Sequence, residues 1–548
     1  MGVLDSLPPG TQPTRYTITR KVFINGTVLS NEIQLAQITV NKSFNKIAYA
    51  RLVFADGSAS ERNFPLSNDD KFKPGSEIRV QLGYEGEADT VFEGVIVKHA
   101  IKVSQQGTLL LIEAKDKAIK LAAARKNAYH LNKKDSEVIT NLARSGGLQP
   151  TVAPTNTPHT QLVQFDTSDW DFIVTRAEAN SMLVLTDDGQ LIVKKPDTAS
   201  TPVLTATFGD NIWEFEGEMD ARRQLQSVTS RSWDYTKQEP ETSGAGTATF
   251  TENGNITSND LGTVLGAQVQ LVHNGHLTQQ QLQDWSDAYA LRSRLSKAIG
   301  RVRVEGNAAV KPGTMITLAG VGDRFNGNVF VTGVLHHFEG NWQTDIQFGW
   351  REEWFYKKED VMDKPAAGLL PGVNGLQIGT VVDLDDKEGG GQYRVKVHIP
   401  SITSSNEGIW ARVATLDAGA NRGVYFRPQV SDEVVLGFLN DDPREPVIVG
   451  YLHSKSNKQS PLPEQDGSLQ YGFVTKEGIK LIFDDTNKRM TLRVPAGSSE
   501  KSLTINNDSS AIELKDDHQN TIKMDSSGIT IQAGTGNVVI KGTQVKIN

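Results

Sequence analysis

Few residue groupings in this chain have the spacing that catalysis or metal binding needs. It contains no HExxH, GxSxG, P-loop or Rossmann glycine pattern. Cysteine is absent, which removes thiolate metal sites, cysteine nucleophiles and a disulfide framework. His336 and His337 are adjacent, but neighbours on a strand point to opposite faces, so they read as surface or packing residues. His273-Asn274-Gly275-His276 reads as a turn. Asp383, Asp385, Asp386 and Glu388 gather before Gly389-Gly390-Gly391 but lack the EF-hand spacing and its closing glutamate, so a solvated hairpin loop is expected. Asp484-Asp485 reads as a turn pair rather than an acid/base couple. The residues call for no catalytic group, metal or cofactor, and the expectation is a protein that is not an enzyme.

Composition narrows the class. The 548 residues suffice for three to five domains. Hydrophobic content of 37% and charged content of 22% describe a somewhat polar soluble protein. A net charge of −8 argues against nucleic acid as a partner, because phosphate neutralisation needs a basic surface. Met1 to Gly10 lacks a basic region followed by an apolar one, so no Sec signal is expected. No apolar run approaches the roughly 20 residues that span a bilayer.

The elements that would position any functional residue are mostly strands. Tyr16 to Thr19 and Lys21 to Ile24 lead into Asn25-Gly26, a hairpin signal. Helices interrupt: one capped by Asp135 with Val138, Ile139 and Leu142 on a face, and one starting near Ser168 with Trp170, Ile173, Val174 and Ala177. A third starts at Thr278 with Gln281 as its capping-box partner and Leu282, Trp285 and Tyr289 at helical spacing. The chain also repeats itself. Lys73-Pro74-Gly75-Ser76-Glu77-Ile78 returns as Lys311-Pro312-Gly313-Thr314-Met315-Ile316. Phe92-Glu93-Gly94 and Phe325-Asn326-Gly327 follow, each 13 residues before a turn glycine, Gly107 or Gly340. Two similar β-barrels are expected, the second split by the helix at Thr278. Boundaries fall at 1–105 for the first barrel, 106–200 for a helical and mixed insertion, and 201–360 for the second barrel.

Pro- and Gly-rich residues 361–375 read as a linker. Residues 376–455 then read as a five-strand closed barrel such as an OB-fold. After a neck at 456–472, residues 473–548 are short alternating strands. Their apolar residues are Ile479, Leu481, Phe483, Met490, Leu492, Val494, Leu503, Ile505, Ile512, Leu514, Ile522, Met524, Ile529, Ile531, Val538, Ile540, Val545 and Ile547. From Leu503 onward successive pairs start 7 to 10 residues apart. Each strand offers about two apolar side chains on one face, and nothing in the sequence supplies a cover. Winding three copies together buries the stripe on a common axis. An ordinary sandwich or a single-chain β-solenoid are the alternatives.

Gly408-Ile409-Trp410-Ala411-Arg412-Val413, Gly423-Val424-Tyr425-Phe426-Arg427-Pro428, Asp432-Glu433-Val434-Val435-Leu436-Gly437-Phe438 and Asn440-Asp441-Asp442-Pro443-Arg444-Glu445-Pro446 resemble the OB-fold of VgrG spike proteins. Trp410, Pro428, Asp432, Glu433, Asp442 and Pro446 carry the likeness. Ser168 to Phe172 and Phe325 to Gly340 resemble the phage-hub part of the same family. The resemblance implies a mainly β chain with a minor helical part: two hub β-barrels with helical insertions, an OB-fold, and a C-terminal intertwined triple-stranded β-helix. It implies a homotrimeric spike of a contractile injection machine, with inner-tube and baseplate proteins, effectors and a PAAR-type tip protein as partners. The tip protein would dock on Gln544, Val545, Lys546, Ile547 and Asn548. Such a spike is assembled in the bacterial cytoplasm, then carried in an extracellular phage-tail-like particle or secreted through a type VI system. It pierces the target membrane transiently. No separate domain fits between barrel and needle, and none is expected after the needle. A trimeric glycan-degrading tail spike or an adhesin are the rival readings. The lack of Trp, Tyr and Phe after Phe483 disfavours the first, and an adhesin has no need of the hub half.

Overall fold

In the computed structural model, residues 17–105, 107–351, 353–358, 361, 363–387, 393–405, 407–454, 460–462 and 469–547 are described. The leader reading at residues 1–10, the end of the acidic loop at Glu388 to Gly391, and Asn548 lie outside them. The chain divides into two units, Met1–Asp363 and Lys364–Asn548.

A 13-stranded sheet dominates the first unit. From one edge its strands run Thr27–Val28, Ile18–Ile24, Glu77–Tyr84, Asp89–Ser104, Gly107–Lys115, Tyr49–Ala55 and Leu35–Ser43. Then Leu35–Ser43 pairs with Gly327–Glu339, and the order continues through Asn341–Phe348 and Ala298–Glu305 to Ile212–Met219. Asn25 and Gly26 make the first turn with φ of 49° and 79°, the left-handed pair a two-residue hairpin requires. The sheet curls round two cores. Ile24, Val40, Phe54, Ile78, Phe92 and Ile112, from six different strands, share one cluster. Val302, Ile316, Val331 and Ile346 share another. The two barrel units are therefore open and joined strand to strand.

The internal repeat extends to individual hydrogen bonds. Gly75 N–H donates to the Ile96 carbonyl at 2.8 Å, and Gly313 N–H to the Val331 carbonyl at 2.8 Å. Ile96 N–H returns to Ser76 at 2.9 Å, and Val331 N–H to Thr314 at 2.9 Å. Both turn glycines have φ above 90°, where a side chain is disfavoured. A bulge interrupts Asp89–Ser104 between Ile96 and Lys98, and a matching one interrupts Gly327–Glu339 between Val331 and Gly333. Leu35–Ser43 and Ile212–Met219 also share a bulge, between Leu35 and Gln37 in one and Ile212 and Glu214 in the other. The Phe-x-Gly marker does not belong to this repeat. Val80 pairs with Phe92 while Leu318 pairs with Gly327, so Phe92 is the counterpart of Gly327 and the equal spacing is a coincidence of composition. The boundary placed after residue 105 cuts a hairpin, since Ser104 pairs with Gly107 across its turn.

Helices Asp135–Ser145, Asp169–Ala179, Ser258–Leu265 and Gln279–Leu295 lie in the first unit. Ser168 caps the second by accepting from Asp171 N–H, and Thr278 with Gln281 forms the expected box on the fourth. Asp135 is not a cap. It is the first helical residue, after Lys134, and its carboxylate accepts from Arg176 at 2.7 and 2.9 Å, Asn180 at 2.9 Å and His159 at 2.9 Å. Burial opposes its ionisation, but the His159 and Arg176 hydrogen bonds and the Arg176 charge outweigh it and hold the carboxyl well below the usual range. Asp135→Ala strands a partly buried guanidinium. It should destabilise the first unit by about 3–5 kcal/mol, read from its denaturant midpoint against wild type.

In the second unit Gln377–Asp383, Val395–His398, Ile409–Val413, Pro446–Tyr451 and Glu433–Phe438 close a barrel round Val381, Val395, Val397, Ala411, Val434, Leu436 and Ile448. A seven-strand antiparallel meander follows, each strand pairing with its chain neighbours: Gln470–Val474, Lys480–Asp484, Arg489–Ala496, Ser499–Asn506, Ala511–Lys515, Thr521–Asp525 and Gly528–Gln532. Among the described residues no helix is long and apolar enough to cross a membrane.

Candidate functional site

The meander aligns its apolar residues in two rows. Phe473, Leu481, Leu492, Leu503, Leu514, Ile522 and Ile531 lie opposite one another from strand to strand. Tyr471, Phe483, Met490, Ile505, Ile512, Met524 and Ile529 form the second row. Directly opposed side chains share a face, so both rows lie on one side of the sheet. Lys480, Arg493, Glu513 and Lys523 lie on the other, where Glu513 opposes Lys523 and Lys523 pairs with Asp525 at 2.8 Å. Phe483, Leu492, Ile505, Ile512, Leu514, Ile522 and Met524 are each 38–44% exposed within the single chain. Covering what remains contributes about 1 kcal/mol per side chain.

Tyr471 and Phe473 extend the rows beyond the residues that the sequence singled out, and Met490, which alternation marked, lies in the second row. Alternation of Tyr471 with Phe473 was the available signal, but a needle start at 473 split it. The Phe473 ring stacks on Phe426 of the barrel, with centroids 5.5 Å apart and planes 8° from parallel. Ile479 precedes its strand and is exposed. Val538, Ile540, Val545 and Ile547, expected on strands, lie in residues 533–547, which hold no strand among the described residues. Past Gly528–Gln532 the antiparallel ladder gives them no partner within the chain. Gln544, Val545, Lys546 and Ile547 are all exposed, Ile547 by 90%.

The barrel's motif residues hold turns and strand ends. Asp432 accepts from Gln429 N–H at 2.8 Å, and its carbonyl accepts from Val381 N–H at 3.0 Å. Asp442 accepts from the Arg444 backbone at 2.9 Å and its guanidinium at 2.7 Å, and these bonds lower its pKa. Pro428 and Pro446 are buried, Trp410 opposes Lys396, and Glu433 opposes Thr380. Asp432 and Asp442 thus hold turns, while Trp410 and Glu433 lie on strands of the barrel.

The other polar candidates are engaged locally. His336 is buried with Nδ1 3.1 Å from the Thr344 hydroxyl, and burial pushes its pKa down to about 3. His337 lies 3.3 Å from Glu339. His273 Nδ1 accepts from Gly275 N–H at 3.0 Å, and His276 lies 3.7 Å from Asp234. Asp386 pairs with Arg394 at 2.8 Å and Asp385 with Lys387 at 3.0 Å. Asp484 accepts from Asn487, Gln470 and Arg489, as a turn-holding residue does.

Residues 14–340, more than half of the chain, match the family described as Alg8 N-terminal domain. The chain belongs to that family. Residues 377–453, the closed barrel, match the type VI secretion system/phage-baseplate injector OB domain, and residues 496–548 match the phage baseplate V C-terminal trimerisation domain. The chain is thus VgrG-like, with an OB domain and a trimerisation domain in its C-terminal part. Over 168 residues it is 33% identical to the type VI secretion system spike protein VgrG3 of Vibrio cholerae, covering 28% of this chain and 15% of that protein. Over 91 residues it is 36% identical to the spike protein VgrG1b of Pseudomonas aeruginosa, covering 16% and 12%. The matched stretches are thus a small share of those relatives' length. The 43 kDa tail protein of prophage MuSo2 from Shewanella oneidensis aligns at 14% identity and TM-score 0.46, over 61% of this chain and 98% of its own. The E. coli c3393 protein, a component of the type VI secretion system, aligns at 14% identity and TM-score 0.40, over 79% and 100%.

Proposed function

We propose that the chain is the central spike of a contractile injection machine. Three copies wind their C-terminal meanders together, the hub half joins baseplate and inner tube, and the narrow end carries a separate tip protein through the target membrane with the cargo. The work is mechanical: the spike transmits force and holds partners, and no catalytic group takes part. The observation that carries the reading is the pair of aligned apolar rows running across all seven strands of the meander, half-exposed in one chain, in a segment whose residues from 496 on match the trimerisation family. A soluble monomer does not leave a contiguous stripe of this length open. Threefold winding covers it and leaves Lys480, Arg493 and Lys523 in water. Native mass measurement of the full chain at micromolar concentration should give three times the 59.9 kDa chain mass. A clean monomer would sink the reading.

A further inference from the structure

A small cavity in the first unit collects hydrogen-bond donors that the chain itself does not use. Its volume is about 240 Å³, below the roughly 300 Å³ at which pockets for drug-sized ligands begin, so it suits a compact ligand. Helix Gln279–Leu295 forms one wall. Trp350, Arg351, Trp354 and Lys357, on the segment that runs from the second repeat towards the linker, form another, and Arg223 completes the site.

Most of the lining is already engaged. Tyr289 stacks on Trp354 with ring centroids 4.6 Å apart. The Arg292 guanidinium lies 4.4 Å from the centre of the Trp354 ring and donates to Glu178 at 3.0 Å. The Ser293 hydroxyl donates to the Arg223 carbonyl and accepts from Leu225 N–H, both at 3.0 Å. The Ser296 hydroxyl donates to the Ser293 carbonyl at 2.9 Å, and Arg351 pairs with Glu218. What remains is of one kind. Trp350 is 3% exposed, and its buried indole N–H has no acceptor among the described residues. A buried donor left unmet is costly, and native proteins rarely leave one. Arg223 donates to the Arg351 carbonyl at 2.8 Å, and among the described residues neither Arg223 nor Lys357 forms an ion pair with a carboxylate. Glu353 is the acid in the lining, set against Arg223, Arg292, Arg351 and Lys357, in a chain whose net charge is −8.

We propose that this cavity binds a phosphate monoester, whose oxygens accept from Arg223, Lys357 and the Trp350 indole. An indole N–H, a guanidinium and an ammonium can only donate, so their common ligand is an acceptor, and the excess of cations makes it an anion. The three donors come from separate points of the chain. That spread suits the three acceptor oxygens of a phosphoryl group better than the two coplanar oxygens of a carboxylate. The volume leaves room for a small organic body beside the phosphate. Occupancy bridges Arg223 to Lys357 and so fastens the exit segment of the first unit in place.

Isothermal titration of the full chain with inorganic phosphate, in chloride at constant ionic strength, should show one saturable site per chain. Glycerol 3-phosphate should bind at least as tightly, and acetate should not bind. Arg223→Gln and Lys357→Gln alter exposed side chains and should leave the fold intact. Each should weaken phosphate binding about tenfold, the worth of one charge-assisted hydrogen bond. Trp350→Phe keeps a ring and the charge but removes the N–H, and should weaken binding by a smaller factor. No saturable binding, wild-type affinity in both Gln variants, or binding of acetate as tight as that of phosphate overturns the site. Exclusion of glycerol 3-phosphate while inorganic phosphate binds overturns the ester. The native mass, which decides the trimeric reading, is untouched by any of these results.

Discussion

Ile522→Asp in the full chain is expected to leave no trimer at micromolar concentration, while Lys523→Glu assembles much as wild type does. The two residues are neighbours on one strand and differ in the face they occupy. Ile522 sits in the row that runs through Leu514 and Ile531; Lys523 lies on the other face, opposite Glu513 and Thr530. Three symmetry-related carboxylates brought to one axis lose their water and repel one another, a cost of several kcal/mol per charge that no partner on that axis offsets. A charge change on the wet face costs well under 1 kcal/mol. Native mass of the two variants side by side checks the register. Equal behaviour of both would mean that the apolar rows do not face the axis.

Removing residues 543–548 is expected to leave a trimer that joins the baseplate but has lost its tip protein and most of its injection activity. Val538, Val539, Ile540, Val545 and Ile547 are 49–90% exposed beyond the last strand of the meander. Three copies would bring these side chains together at the narrow end as an apolar platform with open backbone groups, which a small conical protein can cover. Co-purification of the tip protein and delivery into target cells are the two readouts. Normal tip binding by the truncated spike would place the docking surface elsewhere.

Local periodicity was what the sequence carried well. The needle strands are short, polar on one face and separated by turn residues, so alternation alone found Leu481, Leu492, Leu503, Leu514 and Ile522 as one face. Helix starts at Ser168 and Thr278 were legible because their caps lie within four residues. Asp135 was misread for the same reason: a capping signal is local, while its actual partners, His159, Arg176 and Asn180, are 24 to 45 residues away. The repeat was visible through its Pro-Gly turns, whose backbone geometry demands glycine. Its bulges were not, because a bulge has no residue signature of its own. The strands expected at Val538 and Val545 have the right alternation, but alternation does not supply a neighbour to pair with.

The pairing of Leu35–Ser43 with Gly327–Glu339 has a consequence for biogenesis. Ser43 meets Gly333 across 290 residues of chain, whereas every pairing in the meander joins strands next to each other in sequence. Contacts so distant are slow to form and must await their partner. On the ribosome the first repeat has to wait with an open edge until the chain has been made past Glu339. The meander, translated later than the first repeat, needs only its own hairpins and can close as soon as its strands are made. The first repeat is thus begun early and closed only after a long delay, while each meander strand finds its partner as soon as the next hairpin is made.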